Sequence, residues 1–563
     1  MATEYEQLLK FVWEQVEKRL ERKDDQTASF VRDHGAKVIL NDVKLEECYR
    51  IFGALGGDGF TKDLFISRVR ERKLHKFLII PLYRRLPQDA LEAITLKLVA
   101  PTTWPVNGAE ERRLDKLPAE LSQLEEIFGH GSPSAGMFYK QQATFCAAVI
   151  RKGEEVIIED SNCERLPYIH QTLLGKGSVG HVWETKIAKN HYYDVSEDQY
   201  NSNGPKVIAR KDYIINAGFH PEEEREILQQ IMKSSGHENI VTSLGSMRIK
   251  SRQVDGSTFN DTFSLFMPKA DCDLRQFMLE RYQQAPDSFA KKERLLACAA
   301  GLARGLKFLH HEMTTPAPER KKLICYHMDL KPANILVFFP AGDEDRMIWK
   351  LSDFGMSSIK IPKRHDQEHL QDSEEKGFSS WFKLRHGSQV VDPSVSETVG
   401  PRGQGTYLAP ESVTQNAVMG RASDVWSLGC IVSELFAYLH GGKDAVTRYS
   451  EERRCQPGGL GDRYFLYAQG LTPPKDHPIV KAWHDNLIER AKLRHVDEVH
   501  VVSTVLKGLQ EQVLRIDKVA RCGAGDVEKM LDDSCEGYRS LMKPPPRVPE
   551  DPSRPSGTRA LIR

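Results

Sequence analysis

The chain has 563 residues, 40% hydrophobic and 28% charged, which is too long for one ordinary domain and apolar enough for a sizeable core. Lys+Arg and Asp+Glu balance at 79 each, so no global charge argues for nucleic acid or an anionic membrane. No apolar run reaches the roughly 18 residues of a membrane span, and the charged start MATEYEQLLKFVWEQVEKRLERKDD has no signal-peptide core. Ten cysteines without a C-x-x-C pair fit reduced thiols rather than a zinc site or disulfide scaffold. The expectation is an intracellular protein, cytoplasmic or nuclear, without membrane insertion.

Tyr5, Leu8, Leu9, Val12, Val16 and Leu20 recur at helical spacing and predict a first amphipathic helix. LEECYRIFGAL, TKDLFISRVRERKLHKFLIIPLYRRL and QDALEAITLKLV predict further helices, the last with Asp89 as its cap. GGDGF lacks the ligand ladder of a calcium loop and reads as a turn. Pro101, Pro105 and Gly108 mark a linker. The reading is a helical N-terminal domain over 1–100 and a linker with a strand-like lead-in over 101–164, its strands near ATFCAAVI and EEVIIED. No catalytic motif falls in the first hundred residues, so that domain is expected to be a separable module for a regulatory partner.

Beyond it, strand-like runs continue through LPYIHQTLLGKGSVGHVWETKIA, and past residue 290 the period changes. Leu295, Ala299, Leu302, Leu306 and Leu309 form a helical stripe. A strand-rich half followed by a helix-rich half predicts a two-lobed α+β body over 165–541. Residues 542–563 are rich in Pro, Arg and Ser and read as a disordered tail.

Three stretches carry chemistry. LGKGSVGHV places Gly175, Gly177 and Gly180 in G-x-G-x-x-G order. The triplet alone also suits a dinucleotide fold or a plain hairpin, but the β-branched and aromatic HVWETKIA after it makes the glycines join two strands. Glycines there let backbone N–H groups approach phosphates closely. VIARKDYII is a strand carrying Lys211 among apolar neighbours, followed by the helical HPEEEREILQQIM. A buried lysine facing phosphates needs a carboxylate to keep it charged and oriented; Glu224 is the candidate, with Glu226 as the alternative. YHMDLKPANIL sets Asp329, Lys331 and Asn334 between an apolar helix and a strand-like run.

With LSDFGMS, GTYLAPE and DVWSLGCI following in order, the chain resembles the protein-kinase family, well over 165–541 and loosely over the first hundred residues. The domain resembles divergent kinases of filamentous fungi with a helical N-terminal region. The resemblance implies a protein-kinase-like fold, ATP and Mg2+ as cofactors, and a protein substrate. It implies Asp329 as the group accepting the substrate hydroxyl's proton and Lys331 as the charge on the transferring phosphoryl group. Asn334 and Asp353 would hold Mg2+. Leu174, Gly175, Gly177, Gly180, Val182, Ala209, Lys211 and Glu224 would bind ATP, with Phe266 as gatekeeper. Met267 and Lys269 would meet adenine and Asp273 the ribose, while Glu411 and Asp424 would anchor the structure.

DLKPAN implies Ser/Thr specificity, although Gln404 stands where that branch has threonine, the nearest being Thr406. Met328 stands where most relatives have the arginine that grips a phosphorylated activation segment. Two insertions depart from the pattern, one between Gly180 and Lys211 and one between Asp353 and Glu411; loops so long are functional or disordered, and disorder is the reading taken. A pseudokinase scaffold is the alternative function, disfavoured by the intact Lys211, Asp329, Asn334 and Asp353. A small-molecule kinase is disfavoured by APE and the long activation segment.

Overall fold

A computed structural model describes residues 3–22, 29–57, 59–103, 106–107, 112–113, 116–159, 163–177, 180–213, 221–250, 261–318, 320–361, 405–413, 419–457, 461–467 and 473–543. The chain divides into two units, residues 1–233 with 241–270, and residues 234–240 with 271–563.

The first unit begins with α1 (Glu4–Glu17), started by a capping box in which Thr3 and Glu6 satisfy each other's backbone N–H groups. Leu8, Val12 and Val16 form its buried stripe, as their spacing predicts. The run at 61–86, read as one helix, is two: α2 (Lys62–Glu71) and α3 (His75–Arg84). Between them Lys73 takes a left-handed φ of 58°, which no continuous helix can contain. In α4 (Gln88–Ile94) Asp89 lies in the first turn, and Pro87 occupies the cap.

Two further helices, α5 (Leu121–Phe128) and α6 (Pro133–Gln141), occupy the stretch read as linker. Leu124, Ile127, Ala135 and Phe138 join the core of the preceding helices, so this segment belongs to the helical body by packing. The strand expected at ATFCAAVI is instead a 3-10 turn at Gln142–Thr144 and a two-residue strand, β1 (Ile150–Arg151). Small residues there offer little to a pleated surface.

Among the described residues six strands form the main sheet of this unit: β2 (Glu155–Ile158), β3 (Tyr168–Gly177), β4 (Gly180–Ile187), β7 (Lys206–Tyr213), β8 (Gly245–Ile249) and β9 (Thr262–Met267). Their order is β2-β8-β9-β7-β4-β3, antiparallel except for β2 beside β8. The insertion after Gly180 is ordered over most of its length rather than disordered. It contributes β5 (Tyr192–Asp194) and β6 (Gln199–Tyr200), which extend β1 into a three-stranded sheet. Tyr192 and Ile150 of that small sheet pack with Tyr168, Ile208, Met247 and Phe266 on one face of the main sheet. Helix α7 (Pro221–Lys233) completes the unit's kinase-like part.

The second unit is mainly helical. In α8 (Phe289–Lys307) Leu295, Ala299, Leu302 and Leu306 are buried, as the stripe predicts, and Leu309 is buried just beyond it. Gly301 lets the segment at Asn239 approach, since a Cβ there would stand 2.5 Å from the Asn239 amide nitrogen. Short strands follow: β10 (Cys272–Asp273), β12 (Ile335–Phe338) and β13 (Ile348–Leu351) form one sheet, β11 (Ile324–Tyr326) and β14 (Ser358–Lys360) another. Helix α9 (Arg421–Cys455) is buried over most of its length, and α10 (Pro478–Arg494), α11 (Glu498–Gly508) and α12 (Ala524–Leu541) close the fold. The expected tail lies almost wholly outside the described residues, as does most of the insertion after Asp353.

Candidate active site

The residues singled out by the sequence fall in both units, and each group is described by itself. In the first unit, strand register decides what can act together. Val182, Lys211 and Leu265 are partners across β4, β7 and β9, and Glu184, Ala209 and Met267 are partners one step along. Directly paired residues share a face, as do residues two apart on a strand, so these six side chains lie on one face. Phe266 pairs with Arg210 on the opposite face, where it packs against Tyr168. The gatekeeper assignment to Phe266 is therefore corrected: Leu265 and Met267 share the face of Lys211.

Lys211 Nζ donates to Glu224 Oε2 at 2.9 Å, with Lys211 6% and Glu224 2% exposed. The structure chooses Glu224 over Glu226, because the first turn of α7 points Glu224 inward while the Glu226 side chain is 66% exposed. Tyr213, two residues after Lys211 and so on the same face, also donates to Glu224 Oε2. Glu224 Oε1 has no hydrogen-bond partner among the described residues. Sequence reasoning missed Tyr213, although the period-2 rule with Lys211 could have found it.

The glycines divide by surroundings. Gly175 pairs with Val182 and, among the described residues, nothing would meet its Cβ within 4 Å; at Gly177 the nearest described atom is 3.5 Å away. A Cβ on Gly180 would stand 2.1 Å from Asp212 O, so this glycine is required by the adjacent strand. Leu174 sits at an irregularity in the β3–β4 ladder and is 46% exposed. Lys269 Nζ reaches Glu184 Oε2 at 2.7 Å.

In the second unit the loop from His327 to Asn334 is held by Asp424 of α9. Asp424 Oδ2 accepts from His327 N at 2.8 Å and contacts His310 Nε2 at 3.0 Å, and Oδ1 accepts from Met328 N at 2.8 Å. Asp424 is 1% exposed, so its lone pairs are satisfied by this loop and not by water. Met328 takes φ 64°, a left-handed conformation strained for a long side chain and fixed here by the bond to Asp424. His327 Nε2 meets Ser352 O at 2.9 Å, tying the loop to the strand before Asp353.

Asp329 Oδ2 accepts from Lys331 Nζ at 2.8 Å and from Asn334 Nδ2 at 2.9 Å; Asn334 Nδ2 also donates to Asp329 O at 2.8 Å. With its amide nitrogen committed to Asp329, Asn334 keeps Oδ1 as its oxygen ligand. Ser352 donates from its backbone N and its Oγ to Asn334 O, both at 2.9 Å, which sets Asn334 next to the Asp353 turn. Asp353 has φ 60°, a conformation Asp tolerates, and Phe354 after it is buried against the His327 ring. Asn334 Oδ1 and the Asp353 carboxylate are hard oxygen donors, of the kind that would suit a cation such as Mg2+.

Asp273 caps a short helix by accepting from Gln276 N at 2.8 Å. Burial raises its carboxyl above the usual range, opposed by the N–H groups of Gln276 and Arg275. Glu411 forms a two-bond pair with Arg521, both contacts 2.7 Å, and accepts from Ser423 Oγ at 2.6 Å. Thr406 donates to buried Asp462 at 2.5 Å. His310 and Ser352 were missed by sequence reasoning, because a buried histidine and a serine have no distinguishing spacing.

A family model described as protein kinase domain matches residues 168–529, more than half of the chain. The chain belongs to the protein kinase family. It is similar to the PR5-like receptor kinase of Arabidopsis thaliana, 26% identical over 265 residues, 47% of this chain and 29% of that protein. It is also similar to mitogen-activated protein kinase kinase kinase A of Dictyostelium discoideum, 25% identical over 300 residues, 52% of this chain and 23% of that protein. A third relative is the tyrosine-protein kinase JAK3 of Rattus norvegicus, 26% identical over 321 residues, 56% of this chain and 22% of that protein. The chain spans less than a third of the length of these relatives. The chain has, among its described residues, no helix long and apolar enough to cross a membrane.

Proposed function

We propose that this kinase transfers the γ-phosphate of ATP to Ser or Thr hydroxyls of proteins, with Mg2+ as its metal. The observation that carries the reading is the arrangement of Asp329, whose Oδ2 is committed to Lys331 and Asn334 while Oδ1 has no partner among the described residues. Oδ1 would accept the proton of the substrate hydroxyl as its oxygen bonds to the γ-phosphorus and the bond to the β-phosphate oxygen breaks. Lys331 would neutralise charge on the transferring group, and Lys211, kept oriented by Glu224, would neutralise the ATP phosphates. Asn334 and Asp353 would hold Mg2+, which when bound offsets negative charge on the phosphates. Gly175, with nothing within 4 Å of its Cβ side among the described residues, and Gly177, whose nearest atom there is Gly180 O at 3.5 Å, suit a close backbone approach to phosphate.

Met328 gives the loop no cation for a phosphorylated activation segment, and its backbone is instead fixed by Asp424. This supports catalysis that does not wait on phosphorylation of Ser373, Ser379, Ser394 or Thr398 in the activation segment; these lie outside the described residues, as do Lys363 and Arg364, the cations of that segment that would be the substitutes for the missing arginine. The test is radiolabelled phosphate transfer to generic protein substrates, before and after phosphatase treatment confirmed by mass spectrometry. Transfer to Ser/Thr at an unchanged initial rate is expected. A drop of about tenfold or more, restored by rephosphorylation, overturns the phosphorylation-independent part; nucleotide binding without any transfer points to a scaffold.

A further inference from the structure

The helical region of the first unit contains a cavity of about 540 Å³ with a basic wall. Lys37, Arg70, Arg72, Lys73, Lys76 and Lys116 line it, and among its described lining residues Asp33 alone is acidic. Three of the cations are committed. Arg70 pairs with Asp42, Lys76 Nζ lies 3.3 Å from Asp33 Oδ1, and Arg72 donates to the carbonyls of Leu98 and Pro101 at 2.7 Å. Lys37, Lys73 and Lys116 make no ion pair among the described residues.

The surroundings register this surplus. His75, in the same wall, is pushed down to about 4 by burial and by the charges of Lys37 and Arg70. Helix α3 starts in the wall at His75, and Leu74 before it supplies no side-chain acceptor to the first-turn N–H groups, which adds the positive end of a helix dipole. Phe77 and Tyr200 add an aromatic border. The volume lies in the range of small-molecule pockets, so size selects a small ligand and charge selects an anion.

We propose that this cavity binds a small, multiply phosphorylated molecule, its phosphates neutralising Lys37, Lys73 and Lys116. Such a ligand also has a route to the kinase sheet. Tyr200 belongs to β6, and the His34 ring stands edge-on to it at 5.2 Å. Asp33 N–H donates to His191 Nε2 at 2.9 Å, and the next residue, Tyr192, is buried with Tyr168 and Phe266 against the face of the sheet opposite Lys211. A bound anion therefore ties the helical region to the strands that cover this sheet. The binding proposal does not depend on phosphoryl transfer.

The test is calorimetric titration of the full chain with sodium tripolyphosphate and with inositol hexakisphosphate, the nucleotide site held by a non-hydrolysable ATP analogue with Mg2+. One saturable site is expected for at least one probe, with Kd of about 100 µM or tighter. The exposed pair Lys37→Glu/Lys73→Glu should weaken it about tenfold or more, whereas the exposed control pair Lys481→Glu/Lys529→Glu should leave it unchanged. No saturable binding of either probe, binding indifferent to the first pair, or equal weakening by both pairs overturns the proposal.

Discussion

Around Lys211 the structure relies on a buried pair of opposite charges, with one 2.9 Å contact to Glu224 and a tyrosine hydroxyl beside it. Around Asp329 it relies on backbone groups: Asp424 holds two successive N–H donors of the loop, and Asn334 and Ser352 lock its far end. In the first region removing one side chain strands a charge. In the second the Asp329 carboxylate can change while the loop that carries it stays bonded. Stability and activity should therefore be coupled at Lys211 and separable at Asp329.

Lys211→Met tests that coupling with the largest expected effect. Transfer should fall on the order of 10³-fold through loss of the charge on the phosphates. Glu224 is left buried without its cation, so stability should drop by about 3 kcal/mol or more. Adding Glu224→Gln should recover melting temperature and leave transfer lost. Recovery of both, or of neither, would break the comparison.

Asp424→Ala attacks the other region through its backbone. It orphans the buried N–H of His327, worth roughly 1–3 kcal/mol, and the part-buried N–H of Met328, worth less, and misplaces Asp329. Denaturation should show the stability loss, and kcat should fall on the order of 100-fold with little change in ATP affinity. A loss of ATP affinity without a loss of kcat would contradict the assignment.

A smaller effect separates the two faces of the main sheet. Met267→Ala should shift the KM for ATP by about tenfold, because Met267 shares the face of Lys211. Phe266→Ala should lower stability by about 3–5 kcal/mol and leave that KM alone, because Phe266 is buried on the opposite face. Exchanged outcomes would restore Phe266 as gatekeeper.

What was legible in the sequence followed from local rules. The stripe at Leu295 to Leu309, the amphipathic first helix and the strand carrying Lys211 are set by local pattern. Glu224 follows from the need of a buried lysine for a carboxylate. The face of Phe266 was not legible, because a one-residue shift in register exchanges the two faces of a strand and only pairing with β7 fixes it. The order of the insertion at Tyr192–Tyr200 was hidden as well, since its strands are stabilised by β1, some forty residues earlier in the chain. His310 and Ser352 act through partners that only the fold brings near.

We propose that Asp329 performs the proton step of phosphoryl transfer on a loop whose geometry does not need its charge. Asp329→Asn tests it most directly, with initial transfer rates, Mg-ATP titration and thermal melting measured on one preparation. The account predicts a kcat lower by about 10²–10⁴-fold, with Mg-ATP affinity and melting temperature near wild type. Transfer within about twofold of wild type would contradict it.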